Sequence, residues 1–492
     1  MNIINNIQET PLKKIYQIAT NNSNKPEKRF LFFFIGAVLT VFSFMSVAFY
    51  FRIEFYLFLA VLALPILWTM VNYPRVWIYF IALGLTVFLT SGEKEVNVFH
   101  ILAGLFYNSF LILWFVNKLL IKREKISRNI SDQIFLFFYF ILIVNSIIAV
   151  SNNVVFFDWF REYLLYSLIL YYFPIREYFT TKKQILTLLV LLGLSAIFLD
   201  LYAFYNYFKA MKDITYAYQF AGNSSMRINQ QFFTSVGFSS IVIFFSVKTF
   251  RGKLFSFLVA ILTTGALIST LSRAFWVSFI AIVFIFLFYM KIKQVVQFLL
   301  IIIFFVGASA FAVQTIMPDR AELFKKYLVQ RFNSTGKGKK DQSVRARLYE
   351  YREVVRAIKN SPIWGHGLRK EFMFYNNITQ KTSKAHFIHN GFMNISYKTG
   401  IPLALAFYIP ILLYMLKGFL ISIRSSSYFH RTLAICGYLT LAMLFVTNFA
   451  TSSFLFRDGL IVTAVAMALI GIAEQEYNKN KNIYNINQIA QL

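Results

Sequence analysis

Residues 254–290 read LFSFLVAILTTGALISTLSRAFWVSFIAIVFIFLFYM, and Arg273 is the one charged residue among them. A helix needs about 20 apolar residues to cross a bilayer. The stretch is long enough for two such helices, 254–271 and 274–290, joined by a very short turn. It therefore predicts a helical hairpin in a membrane with Arg273 at its turn. A charge so close to hydrocarbon is costly unless it has a partner or a function.

The same apolar pattern extends along the whole chain. Of its 492 residues, 58% are hydrophobic and 14% are charged, whereas soluble domains carry about 25% charged residues. We expect an all-α, polytopic membrane bundle of about 12–14 transmembrane helices. The candidate spans are 30–51, 53–72, 75–91, 98–120, 132–150, 154–173, 184–208, 229–247, 254–271, 274–290, 294–316, 393–416, 432–451 and 456–473.

The formal net charge of +28 would suggest a nucleic-acid partner in a soluble protein. In a membrane protein, however, Lys and Arg accumulate in cytoplasmic loops. With the N-terminus inside, the short inner segments hold 24 Lys and Arg and the short outer loops hold seven. We therefore expect both termini in the cytoplasm and no nucleic-acid partner.

One long loop, 317–392, then faces outward. It holds 16 Lys and Arg against six Asp and Glu, and long loops are exempt from the charge rule. The single cysteine, Cys436, lies in an apolar run, so no disulfide within the chain can brace this loop. The expected organisation is a cytoplasmic segment (1–29), a transmembrane bundle (30–316), the loop (317–392), C-terminal transmembrane helices (393–473) and a cytoplasmic tail (474–492).

Within the loop, residues 341–359 (DQSVRARLYEYREVVRAIK) predict an amphipathic helix that ends at Asn360-Ser361-Pro362. Its expected apolar seam consists of Val344, Leu348, Tyr351, Val355 and Ile358. The arginines, among them Arg345 and Arg347, form either a solvated face or a cradle for phosphate. The planar guanidinium suits the second role because it binds phosphate oxygens in pairs.

Three of the five histidines, His366, His386 and His389, follow in the same loop. Histidine titrates near neutral pH and can accept a proton from a hydroxyl. A metal site is the competing interpretation, but no cysteine or carboxylate stands at ligand spacing. His389 precedes Asn390 at a loop-to-helix junction, where we favour a functional role. Arg161 stands three residues after Asp158, a spacing that also suits a structural ion pair.

Four motifs, in this order, resemble the superfamily of O-antigen ligases and O-antigen polymerases, which are bacterial membrane glycosyltransferases. Residues 272–276 (SRAFW) resemble its S-R-G-x-W segment, and 347–351 (RLYEY) its R-L-x-x-W helix start. Residues 362–367 (PIWGHG) resemble its P-L-x-G-x-G turn, and His386 with His389-Asn390 its H-x-H-N segment. The departures are Ala274 for Gly, Tyr351 for Trp, and two residues instead of one between the histidines.

The resemblance implies a C-type glycosyltransferase-like fold in the bacterial inner membrane, with 317–392 as the periplasmic catalytic loop. It implies an undecaprenyl-diphosphate-linked glycan as donor, a lipid A core or other glycan as acceptor, membrane lipid around the chain, and no metal or nucleotide cofactor. Arg347 and Arg273 would contact the diphosphate, with Arg345 and Arg161 as further candidates. His389 would be the catalytic base, and His386 and Asn390 would assist in substrate binding.

Several activities remain open on the sequence alone. Ligase and polymerase share these motifs and differ in acceptor, and a protein O-oligosaccharyltransferase is a third member of the set; we favour the ligase. A transporter of lipid-linked glycans is the alternative from another class. Transporters usually carry polar sites near the membrane midplane, whereas here the polar residues gather toward one face.

Overall fold

The computed structural model describes residues 64–90, 98–212, 229–301, 342–376 and 380–489, with isolated positions at 303, 315, 322, 325, 326 and 329. The chain divides into two compact units, Met1–Tyr73 and Pro74–Leu492. In the first unit, residues 64–72 are helical. The predicted span 30–51, most of 53–72, and the segment 317–341 apart from isolated positions lie outside the described residues. The following account concerns the second unit.

The described part of the second unit consists of helices and one short β-hairpin. In chain order the labelled elements are α1 (Pro74–Thr90), α2 (Val98–Val116), α3 (Ile130–Ser151), α4 (Phe156–Tyr166), α5 (Tyr172–Tyr178), α6 (Lys182–Lys212), α7 (Gln230–Ser246), α8 (Phe250–Ser269), α9 (Arg273–Leu287), α10 (Gln342–Asn360), β1 (Phe372–Asn376), β2 (Lys381–Ala385), α11 (Gly391–Thr399), α12 (Ile401–Arg424), α13 (Tyr428–Thr447) and α14 (Arg457–Ile489). Strands β1 and β2 pair antiparallel, with Phe372 opposite Ala385.

The fold is all-α and polytopic, as predicted. Among the described residues, six helices are long and apolar enough to cross a membrane: Ile130–Ser151, Lys182–Lys209, Phe250–Ser269, Ile401–Arg424, Tyr428–Thr447 and Arg457–Lys479. A helix satisfies its own backbone hydrogen bonds and can therefore expose apolar side chains to lipid on any face. Several other apolar helices are shorter, and α9 has only 15 residues. The chain is a multi-pass membrane protein.

Residues 154–173 do not form the single continuous span that the sequence predicts. Helix α4 ends at Tyr166, a 3-10 turn covers Ser167–Tyr171, and α5 follows. Pro174 has no amide hydrogen to donate to the carbonyl of Leu170, four residues earlier. Regular α-helical bonding is therefore interrupted just before the proline.

The predicted span 393–416 is displaced, because a separate helix, α11, occupies its beginning. Gly400 lies between α11 and α12 with φ of +83°, a region that glycine adopts at little cost. A Cβ at this position would lie 1.9 Å from the carbonyl oxygen of Ile363. The close approach of this earlier segment breaks the helix, and the span begins at Ile401.

The helices run between two ends of the bundle. At one end, Lys118 pairs with Glu177 and Lys182 lies over the ring of Phe429. We call it the basic end, because the connection 117–129 alone carries five Lys and Arg. The other end, which we call the loop end, carries α10, α11 and the β-hairpin. There the backbone of Gly391 donates to the carbonyl of Asn448, just after α13.

Arg273 is at the loop end. Tyr289, two residues beyond the last residue of α9, hydrogen-bonds to Ser422 at the close of α12 and to Tyr438 in α13. The close of α12 lies at the basic end, because the same helix leaves the loop end at Gly400. Helix α9 therefore points toward the basic end, and its first residue, Arg273, lies at the loop end.

A buried ionic cluster ties three helices together toward the basic end. Asp132 of α3 and Arg176 of α5 are 0% and 3% exposed, with 2.8 Å between Oδ2 and Nη2. Tyr172 and Tyr414 each donate to Asp132 Oδ1, and Arg176 Nη1 donates to Tyr414 Oη. We call these four residues the Asp132 cluster. It joins α3, α5 and α12 through charge-assisted hydrogen bonds.

Candidate active site

His389 is held by a buried carboxylate. Its Nδ1 lies 2.8 Å from Glu350 Oε2, and its backbone N–H donates to Glu350 Oε1 at 3.0 Å. Glu350 is 2% exposed, whereas the His389 side chain is 46% exposed. The imidazole is therefore anchored at one nitrogen and accessible from solvent over much of its remaining surface.

Glu350 reaches His389 because α10 packs closely on the segment around it. Val354 of α10 forms a small core with Phe372, Ile388 and Tyr397. One turn earlier, Tyr351 Oη donates to the carbonyl of Phe449 at 3.1 Å. Helix α10 is thus fixed to the hairpin, to α11 and to the connection after α13.

Arg347 lies on the same face of α10 as Glu350, three residues earlier. Residues at this spacing are neighbours on a helix surface, with about 5–6 Å between their Cβ atoms. Burial raises the pKa of Tyr351 to about 12, while the charge of Arg347 acts in the opposite direction. Arg347 therefore lies one helical turn from Glu350 and near the Tyr351 hydroxyl.

Arg345 lies on the opposite, exposed side of α10. This side also carries Leu348 and Val355, which are 43% and 39% exposed. The predicted apolar seam was therefore wrong at these two positions. The helix is turned so that Glu350 and Val354 face inward, because the carboxylate has two partners on the His389 segment.

Asn390 fixes the start of α11. Its Oδ1 accepts from the backbone N–H of Met393 at 3.1 Å, and its Nδ2 donates to the carbonyl of Phe449. Such a cap satisfies an amide that the helix itself leaves without a partner. A Cβ on Gly391 would lie 1.9 Å from Asn448 Oδ1, so any larger residue would displace the Asn448 side chain. These contacts hold the backbone next to His389.

The turn 362–367 is bonded to the backbone that surrounds Gly400. The amides of His366, Gly367 and Ile401 donate to the carbonyls of Tyr397, Lys398 and Pro362, respectively. The ring of His366 stacks on Tyr397 with centroids 4.5 Å apart, and burial lowers the pKa of His366. His366 therefore has a structural role where the turn 362–367 meets the backbone around Gly400, and it is not part of the Glu350–His389 pair.

A second group of charges lies between α4 and the base of the hairpin. Arg161 and Asp158 are 3.6 Å apart and partly exposed. His386 Nε2 lies 3.4 Å from Glu371 Oε1. The structure therefore pairs Arg161 and His386 with carboxylates of their own and not with Glu350. Behind them, Lys398 and Glu162 form a buried ion pair at 2.6 Å, which the sequence did not predict.

Aromatic contacts connect His389 to the start of α14. The ring of Phe387 lies 5.3 Å from that of His389 and 5.0 Å from that of Phe456. Arg457, the first residue of α14, follows Phe456 directly. In the part of the chain that the structure describes, no three His, Cys, Asp or Glu side chains group as metal ligands.

Comparison with known proteins agrees with this arrangement. No curated protein matches the chain. Residues 258–408 match the family model described as O-Antigen ligase. The matched segment is about a third of the chain and includes Arg273, α10 with Arg347 and Glu350, the turn 362–367, and His389. This match confirms the resemblance to O-antigen ligases that the sequence motifs indicate.

Proposed function

We propose that the chain is an inner-membrane glycosyltransferase that acts as an O-antigen ligase. It transfers a glycan from an undecaprenyl-diphosphate donor to a hydroxyl of the lipid A core, without a metal or nucleotide. The observation that supports this proposal is the accessible His389, which is held by Glu350 of α10, one helical turn from Arg347. Arg273 begins α9 at the same end of the bundle.

The orientation follows from the charge of the short connections. The connection 117–129 at the basic end carries five Lys and Arg, whereas 152–155, 270–272 and 448–456 at the loop end carry none. Lys and Arg mark the cytoplasmic side of short loops. We therefore place the loop end in the periplasm and both termini in the cytoplasm.

In the proposed reaction, the acceptor oxygen forms a bond to the anomeric carbon of the glycan while the bond from that carbon to the diphosphate breaks. His389 takes the hydroxyl proton, and undecaprenyl diphosphate leaves. Negative charge grows on the leaving group, and fixed cations aimed at that charge stabilise the transition state. Arg347 and Arg273 fill this role. Arg345, Arg161, His386 and Asn390 remain candidates for binding the rest of the substrates.

The test is a transfer assay with purified full-length protein in lipid nanodiscs. Undecaprenyl-diphosphate glycan is offered with lipid A core in one arm and with a second lipid-linked glycan in the other. Product only in the first arm supports the ligase. Extended lipid-linked chains in the second arm would instead make the protein a polymerase, and no product in either arm would contradict glycan transfer.

Arg347→Lys should lower kcat/KM by about 10- to 100-fold, because an ammonium keeps the charge but cannot reproduce the paired hydrogen bonds of a guanidinium. The measurement is the same transfer assay. Arg352→Lys is the matched control, since Arg352 lies on the exposed side of α10 over the ring of Tyr349. An Arg347→Lys enzyme as active as this control would show that Arg347 contributes only surface charge.

A further inference from the structure

Glu350 is a buried carboxylate whose two contacts both go to one residue. Oε1 accepts from the backbone N–H of His389, and Oε2 faces the ring Nδ1 of the same residue at 2.8 Å. Among the described residues, no Lys or Arg lies within ion-pair distance of Glu350. A buried carboxylate is costly without a partner, and here His389 is that partner.

The contact fixes the protonation pattern of the ring. An ionised carboxylate has no hydrogen to donate, so the hydrogen between the two groups belongs to Nδ1. A neutral imidazole protonated at Nδ1 keeps its lone pair on Nε2. The backbone bond to Oε1 also sets the position of the ring relative to α10. Nε2 is therefore the nitrogen available to a substrate hydroxyl.

We propose that Glu350 is a positioning residue for the transfer reaction: it holds His389 in the tautomer that can take a proton at Nε2, and it stabilises the imidazolium that results. The inference rests on the proposed function, in which His389 is the base. The same division of work between an imidazole and a buried carboxylate occurs in serine hydrolases. Glu350 itself touches neither glycan nor diphosphate.

Only glutamate has both the length and the charge that the contact with His389 requires at position 350. Helix α10 is fixed by the Val354 core and by the bond from Tyr351 to Phe449, so it does not move freely to follow a shorter side chain. Glutamine has the same length, but its amide would donate to Nδ1. The imidazole proton would then move to Nε2, where it blocks the acceptance of a further proton.

The experiment compares Glu350→Gln with Glu353→Gln in the transfer assay. Glu353 is three residues away on α10 and pairs with Arg356 near the surface, so its variant should behave as the unchanged protein. Glu350→Gln should lower kcat by about 10²–10⁴-fold, the range for loss of a general base. Its KM for the donor should change by less than about threefold, because the contact acts on the base and not on donor binding.

A double variant separates a positioning role from a structural one. If Glu350 acts through His389, then His389→Ala with Glu350→Gln should be no slower than His389→Ala alone, because residues that act as a unit are not additive. Independent, multiplying losses would overturn the proposal, as would full activity of Glu350→Gln. If His389→Ala were itself fully active, the proposed function would fail instead.

A measurement on the unchanged protein covers the case in which Glu350→Gln does not fold. Nitrogen-15 labelling of histidine distinguishes protonated from unprotonated ring nitrogens by NMR, and the His389 signals are assigned by their absence in His389→Ala. At a pH where the ring is neutral, we expect Nδ1 to be protonated and Nε2 unprotonated. The reverse pattern would overturn the proposal.

Discussion

Replacement of His389 by alanine is expected to reduce glycan transfer by about 10²–10⁴-fold, since a general base contributes this much. The ring is about half exposed, and its Nδ1 is occupied by Glu350, so Nε2 is the ring nitrogen left for an acceptor hydroxyl. The measurement is product formation by the purified variant in nanodiscs, at matched protein concentration.

Two further variants make this result interpretable. His389→Gln retains an amide that can donate to Glu350 and so keeps the carboxylate paired, but it cannot take a proton; it should be as inactive as His389→Ala. His430→Ala is the control, because His430 lies at the start of α13 with its Nδ1 2.8 Å from Ser427 Oγ, at the basic end. Near-normal transfer by both His389 variants would remove His389 as the base.

Replacement of Arg176 by methionine should destabilise the protein by about 3–5 kcal/mol, the usual cost of leaving one charge of a buried pair without its partner. Asp132 is fully buried, and its carboxylate depends on Arg176 for two of its hydrogen bonds. Loss of the guanidinium also removes the bond to Tyr414. The measurement is thermal unfolding in detergent, together with abundance in the membrane.

A control variant shows whether the loss of stability comes from breaking the Asp132–Arg176 pair or from removing one positive charge. Arg424→Met, at the exposed end of α12, removes a positive charge at the same end of the bundle and should leave the melting temperature nearly unchanged. Combining Arg176→Met with Asp132→Leu should recover much of the loss, because two apolar side chains leave no charge in the core. If Arg176→Met were as stable as the control, the Asp132 cluster would have no role in holding α3, α5 and α12 together.

The parts of the fold that depend on composition could be predicted from the sequence. Long apolar runs identify membrane helices because lipid imposes the same requirement on each residue of a span. The break at Gly400 could not be predicted in this way, since it results from the approach of Ile363, which is distant in sequence. The irregular path through Ser167–Tyr171 had a local signal in Pro174, which the count of apolar residues did not use.

The candidate site likewise contains residues that the sequence predicts and one, Glu350, that it does not. The sequence indicates the histidine and the arginines through their chemistry and the family motifs, and in the structure Arg347 lies one helical turn from Glu350, the partner of His389. Glu350 was overlooked because the apolar positions of α10 suggested a different inward face. Periodicity alone gives little weight to a buried carboxylate, whose position is explained only by its partner 39 residues later.

The shortness of α9 has a consequence for the lipid around the protein. Fifteen residues rise about 22 Å, whereas the hydrocarbon core of a bilayer is about 30 Å thick. A helix of this length that meets one surface leaves Arg273 below the other surface, unless the bilayer thins beside it or water enters above it. Either response forms a local depression in the leaflet. In the proposed reaction, the donor diphosphate would reach Arg273 through this depression.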